Sequence, residues 1–557
     1  VKAACWHPFP LYIHFALPHD NYFLGRVASP TANRLGQQAI LPHSDPLRCY
    51  LLSLPPSIKL ALFPALVPIL SHLFPLELPM AVLRRDFLKS SVATGMGLIL
   101  CGTQASGRVL GANDRVRVAV AGLNGRGSSH VGAYQGMKDV EIAYLVDPDS
   151  RTYAKHLKTI GTEKHAAPQT IKDIRVALED KNLDAISIAT PNHWHALMTI
   201  WGCQAGKDVY VEKPCSHNVH EGRIAVEMAR KHNRIVQHGT QNRSSNNWVQ
   251  LAELAKSGKL GKLKVARGLC YKRRNSIGEK PQSAPPAEVD FNLWLGPAPE
   301  QPHHANLVHY NWHWFWDFGC GDIGNQGVHQ MDVARWMIPN ATLPKSVFSL
   351  GGRFGYTDQG QTPNTQIAVF DYGETQLIFE VRGLKTENYY GQNVNVTLHF
   401  EEGVVAGGKF YPNGKKEPEA LPKIEVPAER NRSGSIFGNF IACVRSRQRE
   451  ALQAEILEAH YSSALCHYAN ASYRLGEEVP FNSKSQTLGD NKEAAETLAR
   501  MQQHLQGENS LELSGQKYRL GPTLQIDATT ETFVNSPAAN QLLTRPAKAP
   551  FAVPEKV

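Results

Sequence analysis

The stretch "RVRVAVAGLNGRGSSH" at residues 115–130, followed by "DVEIAYLVD" at 139–147, decides how the rest of this chain is read. The first eight residues form a β-branched apolar run, as a buried parallel strand requires. A glycine-rich turn follows and opens a helix, and a second strand then ends in Asp147, twenty residues after Gly127. Gly122 permits the tight turn, and Gly127 lets helix and strand approach closely. The helix N-terminus offers unpaired N–H groups and a positive dipole end to a pyrophosphate. The middle position of the G-x-G-x-x-G pattern is Asn124, with Gly125 and Arg126 beside it, so the backbone approach differs there. Asp147 is expected to accept hydrogen bonds from ribose hydroxyls and to repel a 2′-phosphate, which favours NAD. Arg151, just downstream, keeps NADP open.

Strand and helix signals continue to alternate through "LDAISIATPNHWH" (183–195), "KDVYVEKP" (207–214) and "RIVQHGTQNR" (234–243). Parallel strands with helical crossovers place functional groups at the strands' C-terminal ends. Those ends carry Thr190-Pro191-Asn192, His195, Glu212-Lys213-Pro214 and Gln241. With the glycine turn, the T-P-N-x-x-H and E-K-P motifs at these intervals resemble the Gfo/Idh/MocA family of sugar and polyol oxidoreductases. The resemblance implies a nicotinamide-binding Rossmann domain followed by an α/β domain with an open, mostly antiparallel sheet, and assembly into a homo-oligomer. It makes Lys213 the active-site lysine, between nicotinamide and substrate hydroxyl.

The densest chemistry lies in "HHANLVHYNWHWFWDFGCGDIGNQGVHQMDVARW", residues 303–336. His329 matches the family's histidine, but the position four before it is Asn325 where the family has Asp. Helical spacing predicts Asn325 and His329 on one face. An amide can orient a ring nitrogen but cannot stabilise an imidazolium by charge, so Asp332, or more weakly Asp322, is a candidate substitute; a structural contact is the alternative for Asp332. Arg273, Tyr310 and Trp312 are candidate substrate contacts. Trp312, Trp314 and Trp316 alternate as on one face of an extended segment, either a carbohydrate-stacking platform or a core or interface seam. The spacing of His303, His304, His309 and His313 fits no usual metal site, and no metal is expected. Four stretches, 345–355, 365–373, 375–384 and 394–408, read as strands joined by Gly-containing turns, with 263–271 entering the same sheet. Residues 439–447 and 455–476 read as amphipathic helices; 482–530 is expected as a surface insertion.

The ends of the chain carry a different signal. "MAVLRRDFLKSSVATGMGLIL" starts at Met80, the first methionine, and its Arg84-Arg85-Asp86-Phe87-Leu88-Lys89 resembles a twin-arginine export signal. Twelve of the 35 prolines precede it, and two of them interrupt the apolar run 58–74, which argues against a membrane span. The expected organisation is therefore an upstream or disordered leader at 1–79 and an export signal at 80–112. A Rossmann domain at 113–242, a substrate and oligomerisation domain at 243–480, and a surface insertion with tail at 481–557 follow. Beyond residue 112, 50 Lys and Arg face 46 Asp and Glu, too even for a nucleic-acid binder. Six scattered cysteines there form no CxxC pair, which argues against a zinc ribbon. The expectation is an exported protein, in the periplasm or beyond, handed to the twin-arginine machinery with NAD tightly held. It would transfer hydride between a sugar or polyol hydroxyl and the nicotinamide. A glycosidase working by transient oxidation and elimination, and a non-catalytic sugar-binding relative, are the alternatives.

Overall fold

The structure, a computed structural model, describes residues 115–160, 166–481, 488 and 490–557. The expected leader and export signal lie outside the described residues. The glycine-turn unit forms as its sequence predicts: β1 (Val116–Ala121), α1 (Gly127–Gln135) and β2 (Val140–Val146). The alternation then runs through α2 (Tyr153–Ile160), β3 (Gln169–Ile171), α3 (Ile174–Leu178), β4 (Ala185–Ile188) and α4 (Asn192–Gln204) to β5 (Asp208–Val211), α5 (Val219–Lys231) and β6 (Val236–His238). These strands form one parallel sheet in the order β3-β2-β1-β4-β5-β6, the doubly wound dinucleotide arrangement. Its two faces are separate apolar layers. Ala119 and Ala121 of β1 pack with Leu197 and Ile224 of α4 and α5, whereas Val118 and Val120 pack with Val131 and Tyr134 of α1. Each face removes apolar side chains from water at about 25 cal/mol per Å², so period-two alternation within β1 is what ties the strand to both layers.

The second domain begins with α6 (Asn246–Ser257) and β7 (Leu263–Tyr271), followed by the short helices α7 (Phe291–Leu295) and α8 (Gly321–Asn325), and then α9 (Gly327–Met337). Strands β8 (Ser346–Gly352), β9 (Thr365–Asp371), β10 (Gln376–Arg382), β11 (Val394–Phe400), β12 (Gly403–Ala406), β13 (Lys409–Pro412) and β14 (Glu419–Ala420) come next. Helices α10 (Ile436–Ser446) and α11 (Ile456–Arg474), β15 (Glu477–Pro480), α12 (Lys492–Gln503), β16 (Lys517–Leu520), β17 (Leu524–Asp527) and β18 (Thr532–Phe533) complete the set used below. The sheet has twelve strands, β14-β13-β12-β11-β7-β10-β9-β8-β16-β15, with β17 attached at β8 and β18 at β17. Neighbouring strands pair antiparallel except β7 with β10. All five segments read as strands from sequence are strands here, and β7 sits at the centre.

Two expectations fail. The described part of 482–530 is not a surface insertion. Leu498 and Met501 of α12 cover Phe348, Ile367 and Ile378 on one sheet face, and β16 pairs with β8 and β15. The boundary at 480 therefore cuts through the second domain. The C-terminal tail returns to the first domain: Phe551 packs edge-on against Trp194 at 5.4 Å, and Arg545 Nε lies 2.5 Å from Glu221 Oε1. Among the described residues no helix is long and apolar enough to cross a membrane.

Candidate active site

A cavity of about 540 Å³ opens at the C-terminal ends of β1, β2, β4 and β5, roofed by residues of the second domain. Gly122 has φ of 83°, and a Cβ on Gly127 would lie 1.8 Å from the Gly122 carbonyl oxygen, so both glycines are required by backbone geometry alone. Gly125 differs: a Cβ there meets no protein atom within 4 Å, so its surroundings do not demand glycine. Thr190 Oγ1 and Asn192 Oδ1 are buried, line the cavity and have no hydrogen-bond partner in the protein. Orphaned buried polar atoms call for a ligand, since leaving them bare costs about 1–3 kcal/mol each. The Asp147 carboxylate accepts from the amides of Leu123 (2.7 Å) and Asp149 (2.9 Å), and burial raises its pKa against those bonds. It lines the cavity where the ribose of a dinucleotide is expected. A glycine cradle, two unpartnered acceptors and a carboxylate in one cavity fit NAD.

The chemistry gathers at the other end. His195 lies between two backbone carbonyls, Nδ1 2.6 Å from Pro214 and Nε2 2.8 Å from Thr190, and its one ring N–H donates to one of them beside the loop that carries Lys213. Lys213 Nζ donates to the Asn325 backbone carbonyl, with Asn325 Oδ1 3.4 Å away. Burial lowers the Lys213 pKa most; Glu212 opposes this and Arg126 adds to it. Glu212 itself is buried, which pushes its carboxyl up. The His130 hydrogen bond and the Arg126 charge, 2.7 Å away, outweigh that and hold it well below the usual carboxylate range. Burial first, and the Lys213 charge second, push His329 down to about 4, so it is a neutral imidazole at physiological pH. A neutral ring beside an ammonium is the pairing a proton acceptor and an electrostatic donor need.

Most predicted residues meet here. Gly122, Asn124, Gly125, Arg126, Asp147, Thr190, Pro191, Asn192, His195, Glu212, Lys213, Gln241, Tyr310, Trp312, Asn325 and His329 all line the one cavity. Gly127 acts from behind it. Five readings are corrected. Asp332 lies off the cavity, its carboxylate taken by Arg243 (2.8 Å to each of two nitrogens) and by Ser462. Asp322 is likewise bound, by Arg274 at 2.6 Å. Arg273 faces a different groove with Tyr356 and Glu508, while its neighbour Lys272 reaches the cavity. Asn325 and His329 do not share a helix, because the chain breaks at Gln326 between α8 and α9. The tryptophans are not one strand face either: Asn311–Trp314 is a 3₁₀ turn. Trp312 stacks on His313 at 3.6 Å, whereas Trp314 and Trp316 take Arg274 and Arg474 over their rings. Sequence reasoning missed His309 and His313 as lining residues. His309 Nε2 reaches across to Asp149 Oδ2 at 2.7 Å, joining the two domains over the cavity. Their place beside Tyr310 and Trp312 was the available signal.

The geometry agrees with what sequence comparison finds. The oxidoreductase family's NAD-binding Rossmann fold matches residues 116–240, and its C-terminal alpha/beta domain matches 268–508. The chain belongs to the Gfo/Idh/MocA family of oxidoreductases. Among similar curated proteins, a glycosyl hydrolase family 109 protein of Shewanella pealeana is 29% identical over 161 residues, 25% of this chain and 35% of its own length. The scyllo-inositol 2-dehydrogenase (NAD(+)) of Bacillus subtilis is 27% identical over 175 residues, 31% of this chain and 47% of its own. The myo-inositol 2-dehydrogenase of Thermotoga maritima is 28% identical over 152 residues, 27% and 44%. The chain thus spans between about a third and a half of the curated relatives it matches. Among solved structures, the WlbA dehydrogenase of Bordetella pertussis with NADH and UDP-GlcNAcA aligns at TM-score 0.47 and 19% identity, over 65% of this chain and 97% of its own. An NAD-binding protein of Listeria innocua aligns at 0.43 and 15%, over 63% and 95%.

Proposed function

We propose that this Gfo/Idh/MocA protein oxidises or reduces a hydroxyl of a sugar or polyol with NAD that stays bound between turnovers. The observation that carries the reading is the meeting of Lys213 and His329 in the same cavity as the Gly122–Gly127 turn and the unpartnered Thr190 and Asn192 oxygens. NAD held there supplies a hydride acceptor and donor at its nicotinamide ring. The chain supplies the proton chemistry. Lys213, steadied by Asn325, donates a hydrogen bond to the substrate oxygen and favours its negative charge. Neutral His329 takes the hydroxyl proton in oxidation and returns it in reduction. Tyr310, Trp312 and His313 give the substrate end an aromatic wall suited to the apolar face of a sugar ring. Arg84-Arg85 adds export to the proposal: outside the cytoplasm a dissociating nicotinamide would be lost, so retention follows.

The glycosyl hydrolase name of several relatives supports a second reading on the same residues. Transient oxidation next to a C–H bond acidifies it, and a base such as His329 then permits elimination of a glycoside before re-reduction.

The test is to denature the purified full chain, identify any released nicotinamide, and incubate native protein with a glycoside without added cofactor. A keto-sugar product supports net oxidation, and free aglycone supports elimination. Lys213→Ala is expected to retain nicotinamide and lose turnover by roughly 10²- to 10⁴-fold. A wild-type protein that releases no nicotinamide and binds none when it is added overturns the proposal.

A further inference from the structure

The six described cysteines are free and buried, and two of them share a histidine away from the NAD cavity. Cys320 immediately precedes α8, and Cys466 and His467 are adjacent on α11. Cys320 Sγ lies 3.9 Å and Cys466 Sγ 3.7 Å from His467 Nδ1, and the three atoms fall within 4.8 Å of one another. On its far side His467 Nε2 sits 3.1 Å from the Ser216 carbonyl oxygen. A carbonyl only accepts, so Nε2 carries the ring proton and Nδ1 turns its lone pair toward both sulfurs. This is how a metal-ligating histidine is oriented by the groups around it. A Cβ on Gly324 would stand 3.5 Å from one sulfur and 3.6 Å from the other, so the bare Cα leaves room on that side.

The distances discriminate among ligands. Zinc bonds of about 2.3 Å to sulfur and 2.0–2.1 Å to nitrogen at tetrahedral angles separate sulfur from nitrogen by roughly 3.6 Å. The observed separations match this within a few tenths of an ångström. Two thiols and an imidazole are soft to borderline donors, which select zinc over magnesium or calcium. We propose that Cys320, Cys466 and His467 bind one zinc ion. Uptake of Zn²⁺ releases the two thiol protons to solvent and moves no electrons, and a solvent oxygen completes the tetrahedron. The ion clasps two pieces of chain behind the active site, and His467 ties a third to them through the Ser216 carbonyl. Cys320 starts the helix that ends in Asn325, the anchor of Lys213. Ser463, three residues before Cys466, accepts the Cys215 amide at 3.1 Å, and Ser216 takes His467, so the loop after Lys213 is held from the same helix.

The test uses the full chain purified without chelator. Metal analysis is expected to find about one zinc per chain. Replacing zinc by cobalt(II) is expected to produce a thiolate-to-cobalt charge-transfer absorption that disappears in Cys466→Ser and His467→Gln and persists in Cys203→Ser, with nicotinamide content unchanged. Wild-type protein that takes up neither zinc nor cobalt after reduction overturns the proposal. So does an intact mass lighter by two hydrogens that reductant restores without any gain of metal binding, because the sulfurs then pair with each other.

Discussion

At the scale of single residues, the site turns on what surrounds Lys213 and His329. The position where the family resemblance implies a carboxylate is Asn325 here, and among the described residues no other acid hydrogen-bonds the imidazole: Asp332 is spent on Arg243 and Asp322 on Arg274. Burial first, and the Lys213 charge second, hold His329 down to about 4, and no carboxylate in hydrogen-bond contact offsets them. A base works in its neutral form, so activity falls as pH drops through its pKa. Asn325→Asp places an anion against Lys213 and in the same cavity as His329, and is expected to raise the His329 pKa by about one unit or more. The acidic limb of kcat/KM is therefore expected to move to higher pH by a comparable amount; an unmoved limb in a cofactor-loaded variant would show that His329 is not the proton acceptor. Sequence spacing made Asp332 look available. Only the arrival of Arg243, 89 positions earlier in the chain, withdraws it.

Among the elements, the βαβ unit was legible because its requirements are local. A strand, a turn needing positive φ at Gly122 and a close helix approach at Gly127 are all written within sixteen residues. Gly127→Ala pushes a methyl group into the Gly122 carbonyl, and backbone cannot swing aside as a flexible side chain can. The variant is expected to lose bound nicotinamide and to melt several degrees lower, whereas Gly125→Ala, which meets no protein atom, is expected to keep its melting temperature. Equal melting temperatures would contradict the packing account. The helix around residue 325 was not legible. Four-residue spacing suggested one helix, but Gly324 and Gly327 flank the break, and a Cβ on Gly327 would sit 2.7 Å from the Phe379 ring. Contact with the sheet, not helix propensity, sets that geometry.

Across the whole molecule, the C-terminal segments hold the architecture together. Arg267 on the central strand β7 is fully buried and reaches Glu380 at 2.7 Å, Thr497 at 2.8 Å and Glu493 at 2.9 Å, which fastens α12 to the sheet. Glu380 also takes Arg382, Arg500 and the Tyr271 hydroxyl. Burial pushes its carboxyl up, but Arg267 and the other guanidiniums outweigh that and hold it down to about 2. Its contribution to stability is thus complete above the usual carboxylate pKa and is lost as pH falls toward about 2. Glu380→Ala leaves three arginines around one vacated carboxylate and is expected to cost about 3–5 kcal/mol in urea unfolding at neutral pH. A loss under about 1 kcal/mol would mean that solvent reaches the network.

The sequence by itself determined the parallel dinucleotide sheet, the strands of the second sheet and half of the residues that line the cavity. Those features rest on short-range patterns: side-chain period, turn glycines and motifs at strand ends. Tertiary structure alone decided which acid faces which base, that α12 and the tail belong to the two cores, and that Cys320, Cys466 and His467 converge. Such pairings join positions 48 residues apart for Arg274 and Asp322, 89 for Arg243 and Asp332, and farther for the rest, and nothing in local spacing encodes the direction from which a distant side chain arrives.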